Sequence, residues 1–298
     1  MHFTKKWIGI LCWICIFLCA GFLTKAQAGT ALNVADSLFE KQQYYAAAIE
    51  YERLGFIAIN NNEKTEALIK KSNCLNLLEK YEDAARCMGR VNYNNLPDTL
   101  IYKAKYQYAL SAYLAKDFGN AESQLLQMQF FVPDSTITYT ALPLFCLVLN
   151  EQQKWADAKI KLIDYVRLSP SSQATKDSIY KEIELMYATK AIPKMKSLKK
   201  AQTLSYILPG TGQMYAGYFW EGAASAAIQL AALSLTGYCI YVHYYVAAFV
   251  GGYSIFSKFY LGGINRLEYL VGKTNYERSR KFNDIAKEKT IGFQEKLK

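Results

Sequence analysis

The stretch LPGTGQMYAGYFWEG, residues 208–222, contains four glycines, and glycine-rich loops bind phosphate in many proteins. A Walker-type loop needs Lys and Ser or Thr directly after its last glycine, because these side chains contact the phosphates and magnesium. Here Gly217 is followed by Tyr218 and Phe219. The dinucleotide-binding fingerprint needs a glycine where Tyr215 stands. We therefore expect neither a nucleotide nor another cofactor in this stretch.

Residues that commonly carry catalysis or bind metals are scarce. The chain has only two histidines, His2 and His243, so that neither a Ser-His-Asp triad nor a histidine metal site can be assembled. The carboxylates in the middle of the chain stand among lysines in helical patterns and are typical of solvated faces. We predict no catalytic residue, no metal site and no small-molecule substrate, and we do not expect an enzyme.

The net charge of +10 is distributed unevenly along the chain. Residues 1–28 carry +3, residues 29–190 carry −1 and residues 191–298 carry +8. A nucleic-acid-binding domain needs a basic stripe on its folded surface, whereas basic residues at the flanks of a chain are typical of membrane proteins. We therefore predict contact with membrane lipids and no nucleic-acid partner.

The N-terminal segment, residues 1–28, has the order of a secretory signal peptide: lysines, an apolar run over 7–23, and a small-residue site ending at Ala28. We expect cleavage after Ala28. The alternative is an uncleaved anchor, because seventeen apolar residues almost span a bilayer. Outside this segment, Cys74 and Cys87 are interpreted as small apolar residues, with a disulfide between them as the alternative.

A pattern of an aromatic residue followed three positions later by alanine recurs four times with a step of 37 residues. The aromatic and alanine positions are Tyr44 and Ala47, Tyr81 and Ala84, Phe118 and Ala121, and Trp155 and Ala158. Small or apolar residues also recur six and nine positions before each aromatic and four after each alanine, which is helical spacing. Each unit therefore predicts a helix, a turn and a second helix.

This pattern resembles the tetratricopeptide repeat, although the step is three residues longer than the usual 34 of that family. The resemblance implies an all-α solenoid of four repeats over residues 29–168, whose first helices line a groove that binds a peptide or protein partner. By the family's frame the groove residues are Asn73, Asn76, Tyr106, Leu110, Tyr113, Leu147 and Asn150. A solvated face is the alternative interpretation of the same positions.

Residues 169–200 are predicted to close the array. A helix from about Ala174 to Lys190 follows the Ser-Pro-Ser-Ser run, and a basic linker follows that helix. In the 37-residue frame, Ile183 and Met186 take the buried positions of a further first helix. The segment is expected to cap the array with a solvated outer face.

Two apolar segments then predict a membrane hairpin over residues 201–264. Residues 222–242 carry no formal charge, and at about 1.5 Å per residue they span a hydrocarbon core of about 30 Å. Residues 244–264 carry only Lys258, which can reach the interface. A third crossing by residues 201–218 is the alternative to two. The small residues expected to meet across the hairpin are Gly222, Ala223, Ala226 and Ala227 against Gly251 and Gly252.

The glycine-rich stretch begins this hairpin. It resembles the Pro-Gly-x-Gly-Gln-x-Tyr-x-Gly motif of a family of small bacterial membrane hairpins that is broadly similar to the TM2 domain. The matching residues are Pro209, Gly210, Gly212, Gln213, Tyr215 and Gly217. The resemblance covers residues 203–282 and implies no biochemical activity.

Together these features predict a membrane-anchored adaptor of the bacterial cell envelope, in which the repeats bind a protein partner. The alternative is a membrane assembly factor whose hairpin binds other membrane proteins or lipids, with the repeats as a spacer. We expect the inner membrane as the location, with the repeats in the periplasm. The basic tail, residues 265–298, and the lysines before the hairpin instead favour the cytoplasm, so that the side stays open.

Overall fold

The computed structural model describes residues 32–297, so that the predicted signal peptide lies outside the described residues. Within that range the chain forms helices and no strand, which confirms the predicted all-α class. It divides into two compact units. The first contains the residues up to Ile183 together with those from Thr290 onward, and the second contains Glu184–Lys289.

Ten helices precede the glycine-rich stretch and its flanking helix. They are α1 (32–40), α2 (Tyr44–Ile57), α3 (Asn61–Leu77), α4 (Tyr81–Met88), α5 (Asp98–Leu114), α6 (Phe118–Phe131), α7 (Ser135–Thr138), α8 (Leu142–Glu151), α9 (Trp155–Leu168) and α10 (Gln173–Met186). A short 3₁₀ segment, Tyr139–Ala141, joins α7 to α8.

Helix boundaries follow the 37-residue step. The second helix of each 37-residue repeat unit begins at the repeated aromatic residue: Tyr44, Tyr81, Phe118 or Trp155. The first helices of the later units begin at Asn61, Asp98 and Ser135, which are also 37 residues apart. The four repeated alanines are fully buried, with no exposed surface. Each unit is therefore a helix, a turn and a second helix that pack through a small residue.

The turn between the two helices has one geometry in all four units. One residue adopts a left-handed backbone conformation: Gln42, Glu79, Lys116 or Gln153. The next residue's N–H donates at 2.9 Å to the carbonyl five positions earlier, as Lys80 does to Leu75 and Lys154 to Leu149. This Schellman arrangement satisfies carbonyls at the end of the first helix. None of the four left-handed residues is glycine, the usual choice at this position.

Two repeat units keep the step but differ from the others in the length or continuity of a helix. Helix α4 ends at Met88, and a non-helical segment with turns at 89–90 and 94–95 leads to Pro97 before α5 begins. The first helix of the fourth unit is divided into α7, the 3₁₀ segment and α8, and Pro143 stands at the start of α8. Proline has no N–H to donate and its ring displaces the preceding turn, so that a continuous α-helix cannot form there.

The cysteines and the predicted cap pack as apolar residues. The four described cysteines, Cys74, Cys87, Cys146 and Cys239, are free and buried, so that the disulfide alternative for the first two is wrong. Ile183 and Met186 on α10 are buried as the 37-residue frame predicts.

The second compact unit contains five further helices and a π-helical segment. They are α11 (Leu198–Ile207), α12 (Thr211–Ala216), α13 (Phe219–Tyr241), α14 (Tyr245–Ala247), the π segment Ala248–Tyr253, and α15 (Ser254–Lys296), whose last residues belong to the first unit. Of the described helices, only α13 is long and apolar enough to cross a membrane by length and composition. The predicted second span, 244–264, is divided among α14, the π segment and the start of α15.

The contacts between α13 and the segment after it correct the predicted pairing of small residues. Gly252 lies against Thr236, whose Cα would be 2.9 Å from a Cβ at Gly252. At the other end, Glu221 pairs with Arg266. This antiparallel register, set by the short turn after Tyr241, leaves Gly222 far from Gly252. Gly222 packs instead against Gly210 and Met214.

Candidate functional site

The six residues of the glycine-rich motif lie in and around the short helix α12. Gly210 and Gly217 flank it with φ of 89° and 109°, a left-handed conformation that side chains disfavour. Pro209 is half-buried in the turn before Gly210. These residues therefore allow the chain to reverse twice within a few positions, between α11 and α13.

Gly212 and Gln213 form the contact between α12 and its neighbours. The Gly212 N–H donates to Ser205 Oγ at 3.0 Å, and a Cβ at Gly212 would overlap the carbonyl of Ala201. The buried Gln213 accepts from Ser205 and donates to the carbonyl of Gly263, each at 3.4 Å. Only glycine allows this approach of α12 to α11, and the amide of Gln213 links both helices to α15.

Tyr215 holds the start of α11. Its hydroxyl accepts from the N–H of Ser197 at 3.2 Å, and Lys196 Nζ lies 4.4 Å from its ring centroid, within the range of a cation–π contact. Asn275 on α15 bonds both backbone groups of Lys196, at 2.7 and 2.9 Å. The motif thus packs α11, α12 and α15 together, and its polar atoms are directed to other parts of the same unit.

In the array, Asn73 is the exposed member of the predicted groove. It borders a cleft of about 320 Å³ between α1 and α3. Inside it, Asp36 accepts from Lys70 at 2.7 Å and from the Tyr51 hydroxyl at 2.5 Å. Burial alone would raise the pKa of Asp36, but the hydrogen bonds from Lys70 and Tyr51 outweigh it and hold the pKa below its usual value. The carboxylate is therefore charged and already partnered.

Asn76 stabilises the contact between α3 and α5. Its amide donates to Ser111 Oγ at 3.0 Å, and Ser111 Oγ lies 3.1 Å from Ser72 Oγ. Gln107 also donates to Ser72, at 3.4 Å. Asn76 Oδ1 is buried without a hydrogen-bond partner. The side chain is thus directed into the helix interface rather than toward an open groove.

The other predicted groove residues differ in exposure. Tyr106, Leu110 and Tyr113 are half-buried on α5, and the Tyr106 ring stacks on Tyr102 with centroids 6.0 Å apart. Leu147 is half-buried on α8. Asn150, three residues later, is only 1% exposed and donates to Cys146 Sγ at 3.6 Å. The structure brings the α5 residues to one surface and leaves Asn150 inside.

The most exposed apolar side chains of the array lie elsewhere, at the ends of second helices. Phe56 on α2 is 90% exposed and Phe130 on α6 is 81% exposed. These phenylalanines occupy the same repeat position two steps apart, and each is followed by another exposed apolar residue, Ile57 or Phe131. The sequence could have indicated this surface, because the two apolar pairs are separated by two repeat steps. The groove of the tetratricopeptide frame does not include these positions at the ends of second helices.

A buried lysine lies between α5 and α6. Lys105 is 4% exposed and donates to Gln124 at 2.9 Å and to Gln127 at 2.6 Å. Burial lowers its pKa to about 8. No carboxylate among the described residues pairs with it. It is an internal polar group of the array and has no open path to a ligand in view of its burial.

Within residues 32–297, no group of three or more His, Cys, Asp or Glu side chains could hold a metal ion. Comparison of the chain with protein-family models, with curated proteins and with solved structures gives no match. The two family resemblances therefore stay predictions.

Proposed function

We propose that the chain is a membrane-anchored scaffold for protein–protein interaction, in which the helical units bind a protein or peptide partner and the second unit anchors the chain. The observation that carries the proposal is that a helix–turn–helix repeat occurs four times in a chain that also contains α13, a helix whose apolar surface is exposed. The recurrence of helix starts, turn geometry and buried alanines supports a solenoid of the tetratricopeptide type.

The surface of α13 supports the anchoring role. Only 17% of its most apolar 18 residues are buried, whereas the core helix of a water-soluble protein would be mostly buried. Large apolar side chains such as Leu230 and Tyr238 on α13, and Phe249 after it, are exposed. Water would penalise such a surface at about 25 cal/mol per Å² of apolar area, and lipid would not.

The arrangement of the second unit supports two crossings rather than three. Residues 201–218 form α11 and α12, with 10 and 6 residues, and each helix is too short to span a bilayer. The antiparallel contact between α13 and the segment from Tyr245 onward supports a hairpin of two spans. Its second span would include the π segment, a feature that membrane helices tolerate when neighbouring groups satisfy the backbone.

We propose the bacterial inner membrane as the location, with the array in the periplasm. The signal-like N-terminal sequence supports export, and exported domains translocate largely regardless of their charge. Protease treatment of spheroplasts tests the side: digestion of the array supports the proposal, and protection until the membrane is opened contradicts it.

Photo-crosslinking in intact cells tests the partner surface. A photoreactive phenylalanine analogue at Tyr113 on α5 is expected to give a discrete crosslinked product. The same probe at Leu126, exposed on α6, is the matched control and is expected to give none. A probe at Phe130 tests the apolar edge. Products from Leu126 equal to those from Tyr113 would contradict a groove on the first helices, and a product from Phe130 alone would move the partner surface to the second helices.

The second candidate is an assembly factor whose hairpin binds membrane proteins or lipids. An open cleft of about 460 Å³ between α13 and α15 favours it. Deletion of residues 201–264 with the rest of the chain exported separates the two candidates. The crosslinked product is retained if the array binds the partner, and it is lost if the hairpin does.

A further inference from the structure

A cleft of about 460 Å³ lies in the second unit between α13 and α15. It combines apolar side chains with three charged ones. Its lining includes Glu221, Ser225 and Ile228 on α13 and Lys258, Phe259 and Arg266 on α15.

Small residues on α15 leave room for the cleft. A Cβ at Gly262 would meet no atom within 4 Å, so that the cleft is open at this point. Gly263, its neighbour, instead faces Gln213 and Ser225, and a Cβ there would be 3.0 Å from Gln213 Nε2. Gly263 therefore allows the close contact between helices, and Gly262 leaves space that a larger side chain would fill.

The charges in the cleft do not cancel. Arg266 pairs with both carboxylate oxygens of Glu221, which neutralises these two groups. Lys258 lines the same cleft and has no ion pair, hydrogen bond or ring contact among the described residues. It lies eight residues from Arg266 along α15, or about 12 Å toward the centre of the span. Its exposed side chain can reach back toward the interface, but an ammonium below the headgroups is costly unless an anion or water accompanies it.

We propose that this cleft binds the phosphate of an anionic phospholipid through Lys258. The inference rests on the proposed membrane anchoring of the same segment. The phosphate supplies the missing counterion, and the Ser225 hydroxyl, which accepts from Gln229 at 2.9 Å, has its own proton free to donate to the phosphate. The acyl chains lie along Ile228 and Phe259, which are 39% and 44% exposed.

The apolar rim selects a lipid over a soluble anion. Inorganic phosphate would gain the contact with Lys258 but would leave Ile228 and Phe259 uncovered. A zwitterionic lipid covers them but brings its own cation close to Lys258. An anionic lipid is the occupant that satisfies both the charge and the apolar surface.

The test uses the full chain purified in mild detergent and incubated with equal amounts of phosphatidylglycerol and phosphatidylcholine, with retained lipids counted by native mass spectrometry. The wild type is expected to retain phosphatidylglycerol preferentially. Lys258→Gln is expected to lower this retention about tenfold, the usual worth of a charged hydrogen bond, and Lys258→Arg to keep it. Gly262→Leu, which fills the cleft, is expected to lower retention with the charge intact.

Matched controls remove the same groups elsewhere. Lys199→Gln takes one exposed lysine from α11, and Gly237→Leu adds the same side chain to α13 where a Cβ meets open space. Neither is expected to change lipid retention. Excess inorganic phosphate is expected not to displace the lipid.

Equal retention of the two lipids by the wild type, no effect of Lys258→Gln, or displacement by inorganic phosphate would overturn the proposal. Carbonate extraction distinguishes this failure from that of the anchor. A chain that resists carbonate but shows no lipid preference overturns the cleft alone. A chain that carbonate removes from the membrane overturns both.

Discussion

Lys105 Nζ lies 4.0 Å from the centroid of the Tyr93 ring, inside the packing of α5 on α6. Tyr93 offers the ammonium a polarisable face, but its hydroxyl is buried without a hydrogen-bond partner. The pair therefore places a buried amine and an unsatisfied hydroxyl inside the array. Because the pKa of Lys105 is lowered, the free-energy penalty of burying the ammonium depends on pH.

The stability of the array is expected to rise between pH 8 and pH 10.5. The pKa of Lys105 is about 8 when folded against an ordinary 10.5, so that the unfolded chain binds more protons in this window. The penalty, about 3 kcal/mol below pH 8, is lost above pH 10.5.

Thermal unfolding of wild type and Lys105→Met, followed by circular dichroism, checks this: the variant is expected to be more stable at pH 7, and the difference in stability is expected to shrink as pH rises. Lys103→Met, an exposed lysine on α5, is the control. A difference independent of pH would contradict the assignment.

The buried alanines are expected to be intolerant of larger side chains. Ala158 on α9 is fully buried, and Ala156 on the same helix is exposed. Ala158→Leu should destabilise the chain by about 1–3 kcal/mol through overpacking, whereas Ala156→Leu should change stability by less than about 0.5 kcal/mol. Chemical unfolding of the two variants in detergent measures the difference. Equal effects would show that the repeated alanine is not the point of close helix approach.

Glycine is expected to stabilise the turn at Lys116 and to destabilise it one residue earlier. Lys116 has φ of 62°, a conformation that costs a side chain about 1–2 kcal/mol, while Ala115 has φ of −72° in the helical region. Lys116→Gly should therefore raise the free energy of unfolding, and Ala115→Gly should lower it, by up to about 1 kcal/mol in each case, as measured by chemical unfolding. Effects of the same sign at both positions would refute the turn geometry.

The hairpin is expected to tolerate alanine at Gly251 and not at Gly252. A Cβ at Gly252 would overlap Thr236, and a Cβ at Gly251 would meet no atom within 4 Å. Gly252→Ala should destabilise the hairpin by about 1–3 kcal/mol, and Gly251→Ala should be neutral or stabilising because alanine favours helix. Thermal stability in mild detergent is the measurement. A tolerated Gly252→Ala would contradict the register of Gly252 on Thr236.

Helix starts and buried contacts could be predicted from the sequence where the same kind of residue has the same role in every repeat. Tyr81 and Ala84 mark a helix start and a buried contact because their spacing fits the helical period and recurs unchanged. The turn residue could not be recognised, because Gln42, Glu79 and Lys116 share no side-chain property that indicates a left-handed backbone. The left-handed conformation of this residue follows from the packing of the helices on both sides of the turn.

Exposure and register also lay beyond the sequence. Asn76, Tyr113 and Asn150 share one repeat position, yet their surroundings differ. Asn76 bonds to Ser111 on α5, Tyr113 is half-buried beside Phe118, and Asn150 is buried and bonds to Cys146 on its own helix. In the hairpin, the turn after Tyr241 decides which small residues meet. Composition identifies the small residues but not their partners.

The junction from Lys80 to Tyr81 has the same backbone hydrogen bonds as the junction from Asp117 to Phe118. Removal of residues 81–117, one repeat of 37, is therefore expected to join Lys80 to Phe118 with the same local backbone. The array is in this respect modular. A gene that loses or duplicates one such block is expected to change the length of the protein while leaving the remaining turns intact.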